Sequence, residues 1–217
     1  MEGKWYTGIC AGLAQVAIGH PFDTIKVNIQ NNNSWRGMMF QDFYRGSFAA
    51  LPQAISKNGI MISGYYYAKK YTDNDFIAGS MAGIMASPSQ YMFDLIKIKK
   101  QTYKPMKINY FLTNKGKITV MCKEFIGIGS YFQALSYCRN KKYNSAISGG
   151  IAGLSNALIS YPLDVLKSRQ LSQNIDFKSA LKQGNFYKGC GVVITRGILV
   201  NSGIWITIDK LGLGLNN

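Results

Sequence analysis

One histidine, His20, and four cysteines, Cys10, Cys122, Cys138 and Cys190, are the whole supply of imidazole and thiolate metal ligands in this chain of 217 residues. No two cysteines stand in a CxxC pair. A zinc centre is therefore not expected, and the cysteines read as small buried apolar residues. With one histidine, no Ser/His/Asp set with a neighbouring base suggests itself. No phosphate loop or ligand cluster is visible either, so neither an enzyme nor a cofactor is expected. Acid is scarce: ten Asp and Glu face 25 Lys and Arg. All charged residues together make up 16% of the chain, against roughly 25% in an ordinary soluble domain. Mean hydropathy is nevertheless only −0.04 although 47% of the residues are apolar. That pairing excludes a simple bundle of lipid-facing helices. It fits helices with one greasy and one wet face, joined by polar loops. Met1-Glu2-Gly3-Lys4 is too short for a charged region followed by an apolar core and a cleavage site, so no cleavable signal is expected.

Glycine, by contrast, is plentiful and periodic. Gly8 and Gly12, Gly79 and Gly83, and Gly149 and Gly153 form three GxxxG pairs at a nearly constant period. Such pairs favour close helix packing. Asp23/Lys26, Asp94/Lys97 and Asp164/Lys167 repeat DxxK on the same period, and Arg45-Gly46, Lys115-Gly116 and Lys188-Gly189 follow. Three features on one period divide the chain into repeats of about 1–72, 73–142 and 143–217. A repeat of this kind cannot bury its own apolar face, so the three must close into one body, a single domain over 1–217.

Charge position decides between two readings of the excess of +15. Fifteen of the 25 basic residues fall between the first and second helix of each repeat, from Lys26 to Arg45, Lys97 to Lys117 and Lys167 to Lys188. A nucleic-acid surface has no reason to confine charge to alternating loops, whereas membrane topology does. No nucleic-acid partner is expected. Six segments reach the roughly 20 residues that a span needs: Trp5–Gln30, Ser47–Lys70, Asp75–Gln101, Ile118–Arg139, Asn144–Gln170 and Cys190–Leu211. Pro21, Pro88 and Pro162 fall within the odd segments and predict kinks there. Ser34–Asp42, Lys107–Asn114 and Asp176–Gln183 each have the pattern of a brief surface helix.

PFDTIK at 21–26 and PLDVLK at 162–167 fit Px[DE]xx[KR], with MFDLIK at 92–97 as a variant; FYRG at 43–46 and FYKG at 186–189 fit [FYW][KR]G, with NKG at 114–116 as a variant. In phase with the glycine pairs, this resembles the mitochondrial carrier family over nearly the whole chain. The stretches from Pro21 to Gly46, Met92 to Gly116 and Pro162 to Gly189 are shorter than in typical members, so the chain resembles an unusually short one. The resemblance implies an all-α membrane protein of six transmembrane helices, three pseudo-threefold two-helix repeats around a central cavity. It implies a multi-pass monomer in the mitochondrial inner membrane that works by alternating access, typically as an antiporter. Basic loops would lie in the matrix, and membrane lipids, cardiolipin among them, would be partners.

An Asp and a Lys three apart share a helix face, so three DxxK faces can meet on one axis. The resemblance implies that Asp23, Lys26, Asp94, Lys97, Asp164 and Lys167 pair between repeats as a matrix gate. It places a cytosolic gate at Lys69, Arg139 and Lys210, where Tyr66 and Ser136 stand in for the usual acids. Charges inside a spanning segment are costly and point to function. Lys57, Lys123, Glu124 and Arg196, with Gln53, are the candidate cargo contacts. The three cations against one acid leave a local +2, which suits a small anion such as a nucleotide. The Lys123-Glu124 pair and GHPFDTIKV at 19–27 instead resemble amino-acid-type carriers of ornithine or carnitine, the alternative cargo. A third reading is a degenerate carrier serving as a membrane scaffold.

Overall fold

A computed structural model describes residues 4–30, 39, 44, 47–101, 115–187 and 190–210; the side chains of 4–8, 23–30, 47–50, 96–101, 172 and 192 are outside that description. Seven helices and no strand occur among the described residues: α1 (Lys4–Gln30), α2 (Ser47–Ala68), α3 (Asp75–Gln101), α4 (Lys117–Asn140), α5 (Ser145–Gln173), α6 (Phe177–Lys182) and α7 (Cys190–Lys210). The six long helices match the six segments read from the sequence closely at both ends. Of the three expected surface helices, Asp176–Gln183 appears as the short α6. The segments Ser34–Asp42 and Lys107–Asn114 lie outside the described residues, apart from Met39.

Local chemistry sets the helix ends. Asn144 caps α5, its side chain accepting from the Ile147 amide at 2.9 Å. Asn74, at the equivalent place one repeat earlier, caps α3 in the same way, accepting from the amides of Phe76 and Ile77 at 2.9 and 3.1 Å. Each cap satisfies donors that a helix start would otherwise leave bare. Gly116, the glycine of the second [KR]G motif, precedes α4 at φ 111, a conformation that side chains other than glycine's rarely adopt. The odd helices run continuously through Pro21, Pro88 and Pro162.

The long helices form a closed ring. Contacts run from α1 to α2, α3, α4, α5 and α7, and α7 returns to α1. Gly12, Gly79, Gly83, Gly149 and Gly153 lie where the two helices of their repeat meet. A methyl group on Gly12 would stand 2.8 Å from the Ile55 backbone, and one on Gly79 2.7 Å from the Ile128 carbonyl oxygen. Gly83, Gly149 and Gly153 press equally hard on the carbonyls of Glu124, Asn201 and Gly197. Such contact brings backbones close enough for dispersion and weak Cα–H contacts to hold a hairpin together.

The ring is apolar outside. Leu13, Ile77, Ile84, Met121, Ile151, Leu158 and Ile206 are all exposed, while Asn58, Gln90, Glu124, Ser160 and Gln170 are buried. An aromatic core fills one half of the interior: Tyr65 stacks on Phe132 with centroids 3.9 Å apart, and Tyr131, Trp205 and Ile208 join the same cluster. The six long helices have the length of a span, yet no described helix is both long and apolar enough to cross a membrane. That departs from the six spans read from the sequence. The polar and charged residues carried on the inner faces lower every helix's average.

Candidate functional site: a chain of alternating charges inside the ring

The ring has two ends. At the turn end the repeats are joined through the tight links after α2 and α4; at the loop end lie the connections within each repeat. Among the described residues, six charged side chains from four helices meet in the loop-end half. Lys57 on α2 stands 4.0 Å from the Glu124 carboxylate on α4. Glu124 lies 2.8 Å from Lys123, and Lys123 reaches Asp164 on α5 at 3.3 Å. Asp164 is 3.2 Å from Lys167 on the same helix, and Lys167 donates to Asp94 on α3 at 2.9 Å. The order Lys57, Glu124, Lys123, Asp164, Lys167, Asp94 alternates sign at every step, and the six sum to zero.

These groups are largely withdrawn from water: the side chain of Glu124 is 2% exposed, that of Lys167 11% and that of Lys123 12%. Unpaired charge at such depth would cost several kcal/mol, so the alternation is what makes the cluster tenable. Gly83 helps to build it. With no side chain there, α3 packs against the Glu124 carbonyl and sets the depth of that carboxylate. Asn58, next to Lys57, donates to Gln15 of α1 at 2.7 Å and extends the polar layer around the ring.

Residues assigned from the sequence to two separate layers are thus joined. The cargo candidates Lys57, Lys123 and Glu124 and the gate candidates Asp94, Asp164 and Lys167 form one continuous chain. Gln53 is half-buried one turn before Lys57. Arg196 stands apart on α7, its guanidinium covering Gly19 of α1, where a methyl would lie 3.2 Å from Nη2. Asp23, Lys26 and Lys97 lie on α1 and α3, but their side chains are outside the described residues.

The turn end carries a second charged cluster, which differs from the sequence reading. Arg139, 8% exposed, pairs with Asp209 of α7 at 3.0 Å and lies 4.6 Å from the centroid of Trp205. Trp205 in turn donates to the Tyr131 hydroxyl at 2.5 Å. Lys69 binds Asp75 at the start of α3 at 3.0 Å, and Asp75 also accepts from Tyr65. Lys210, named as the third basic position, is exposed, and its neighbour Asp209 meets Arg139 instead. The sequence held a signal for this: Lys69, Arg139 and Asp209 are evenly spaced at the repeat period, so the third repeat reverses the charge at the shared position.

A cavity of about 540 Å³ opens at the loop end, away from the charge chain, between the start of α4, α5 and α6. Lys115, Gly116, Lys117, Thr119, Gln170 and Phe177 line it.

Three comparisons bear on kinship. The family profile described as mitochondrial carrier protein matches residues 139–216. "Mitochondrial substrate carrier family protein S" of Dictyostelium discoideum is 26% identical over 219 aligned residues, covering 76% of this chain and 77% of the relative. The mitochondrial ornithine transporter 1 of Saccharomyces cerevisiae is 22% identical, covering 94% of this chain and 92% of its own. The mitochondrial carnitine/acylcarnitine carrier protein of Macaca fascicularis is also 22% identical, covering 91% and 89%. These last two alignments each extend over 270 residues, more than the 217 here, so both relatives hold segments within the matched span that this chain lacks. No solved structure matches. An all-helical ring with no described strand is consistent with this kinship. The chain is thus similar to mitochondrial carriers along nearly all of its length, and its last third matches their family profile.

Proposed function

We propose that this chain is a solute carrier of the mitochondrial inner membrane, moving a small charged metabolite through the centre of its helical ring by alternating access. One observation carries the reading: a buried, continuous chain of alternating charges enclosed by helices whose outer surface is apolar. In lipid the outer residues are at home, and inner polar groups need only face one another or a cargo. Six helices then span the bilayer as a single monomeric unit, and each is less apolar than a lone span because half of it faces the passage. The Lys167–Asp94 pair serves as the loop-end gate, on the matrix side. Arg139 with Asp209 and Trp205 closes the cytosolic side. Lys115, Lys117 and the backbone at Gly116 make the loop-end cavity a fitting seat for an anionic lipid headgroup, cardiolipin included.

Cargo is the finer question. The nucleotide reading rests on a surplus of two positive charges among four residues. Among the described residues, three of those four meet Asp94, Asp164 and Lys167 in a cluster that sums to zero, so these six have no need of a polyanion, and Arg196 on α7 adds a single positive charge. An amino-acid-type zwitterion fits better: Glu124 receives the ammonium, and Lys123 or Arg196 receives the carboxylate. Relatives named for ornithine and carnitine support that choice.

The test is uptake by the purified chain in liposomes of labelled ornithine, carnitine and a deoxynucleotide. Ornithine or carnitine uptake that falls in Glu124→Gln supports the reading. Uptake of the nucleotide alone would return the cargo to an anion. Uptake of nothing across a broad panel would favour a scaffold. If Arg196→Ala leaves every uptake rate unchanged, Arg196 does not belong to the cargo site.

A further inference from the structure

Within that carrier reading, we infer that Lys123 is a positioning residue that relays the arrival of a cargo carboxylate to the loop-end gate. Lys167 is shared between two carboxylates. It lies 2.9 Å from Asp94 on α3 and 3.2 Å from Asp164 on its own helix. Only the first contact ties two helices together. Asp164 therefore competes with the gate for the same ammonium.

Lys123 sets the strength of that competition. Its Nζ lies 3.3 Å from Asp164, so part of the Asp164 charge is neutralised from α4 and Lys167 is left to Asp94. A carboxylate that draws Lys123 toward the passage uncovers Asp164. Asp164 then pulls Lys167 back onto α5, and the α3–α5 tie weakens. The effect is local: the two lysines are 12% and 11% exposed, where solvent screens little, and Asp164, at 33%, is partly screened. It also gives cargo the unequal affinity for closed and open states without which binding could not move the equilibrium. No new charge is needed, since each step exchanges one partner for another.

A relay has a signature in signs. Lys123→Gln uncovers Asp164 and should loosen the gate; Asp164→Asn removes the competitor and should tighten it. The double variant should behave as Asp164→Asn alone. A static brace between α4 and α5 would instead loosen in both single variants. A simple cargo contact would leave the empty gate unchanged in Lys123→Gln.

The readout is the maleimide labelling rate of a cysteine at Ser160 in an otherwise cysteine-free chain, reconstituted in nanodiscs without cargo. Ser160 is buried one turn before Asp164 against Gly127 of α4, so labelling there requires the ring to loosen around α5. Expected rates rise about fivefold in Lys123→Gln, the factor given by about 1 kcal/mol, fall in Asp164→Asn and fall in the double variant. Lys123→Arg keeps the charge and stays near wild type, which separates the relay from misfolding. Ornithine should raise wild-type labelling and add nothing in Lys123→Gln. Putrescine, the same diamine without the carboxylate, should not raise it. Equal signs in the two single variants overturn the relay. Opposite signs with no response to ornithine overturn the carboxylate step. Absent uptake of any cargo in liposomes, with opposite signs intact, strikes the carrier reading and leaves the charge competition standing.

Discussion

Replacing Arg139 tests whether the turn end is held shut by one residue. Two contacts are lost in Arg139→Ala. The ion pair with Asp209, 3.0 Å long, involves a carboxylate 37% exposed, so screening reduces it to about 0.5 kcal/mol. The stack over Trp205, whose side chain is 2% exposed, contributes about 1–2 kcal/mol because both partners are desolvated. The total of about 2 kcal/mol corresponds to a roughly 30-fold shift toward an open turn end. Arg139→Lys keeps the charge but loses the planar face, for about 1 kcal/mol and roughly fivefold. Trp205 is the reporter, with Trp5 and Trp35 replaced by Phe. Its emission should move to longer wavelength and its acrylamide quenching should rise in the order wild type, Lys, Ala. If the Lys and Ala variants quench alike, the stack contributes nothing. If neither differs from wild type, Arg139 does not hold that end.

Three further outcomes follow from the packing and the charges. Gly83→Val forces a side chain into the Glu124 carbonyl and should cost about 1–3 kcal/mol in thermal unfolding, whereas Gly191→Ala, with open space around it, should cost nothing. Asn74→Ala and Asn144→Ala remove equivalent caps and should each lower stability by about 1 kcal/mol, read from denaturant midpoints. Exchanging the gate charges, Asp94→Lys with Lys167→Asp, should recover part of the uptake that either change alone abolishes, as a direct pair requires.

The helices were legible because the signals repeat. Asn74 and Asn144 announce the same helix start, and the glycine pairs announce the same hairpin contact, so each copy corroborates the others. Of the DxxK residues, Asp94, Asp164 and Lys167 are seen to meet, and a step of three along a helix, nearly one turn, is what let the sequence place them on shared faces. What could not be read was contact between layers. Lys123 and Asp164 lie on antiparallel helices, and their meeting depends on how far α4 slides along α5. The long lysine stem then spans what remains. No spacing within one helix encodes that slide. Asp209 was hard to assign for another reason: the third copy aligns only loosely around Asp209-Lys210, and at this position the repeat inverts the charge. The central charge count changed for a related reason, since Asp94, Asp164 and Lys167 join three of the four residues that were summed.

The zero sum of that six-membered chain has an electrical consequence. A membrane potential does work only on net charge that moves across it, about 2.3 kcal/mol per elementary charge at about 100 mV. If the six shift together as the ring changes state, the field exerts no net force on them. The voltage dependence contributed by these six is then nil, and what remains from cargo moved alone is its own charge: nil for carnitine, one for ornithine. The current carried per molecule moved would identify the cargo's charge class before its chemistry is known.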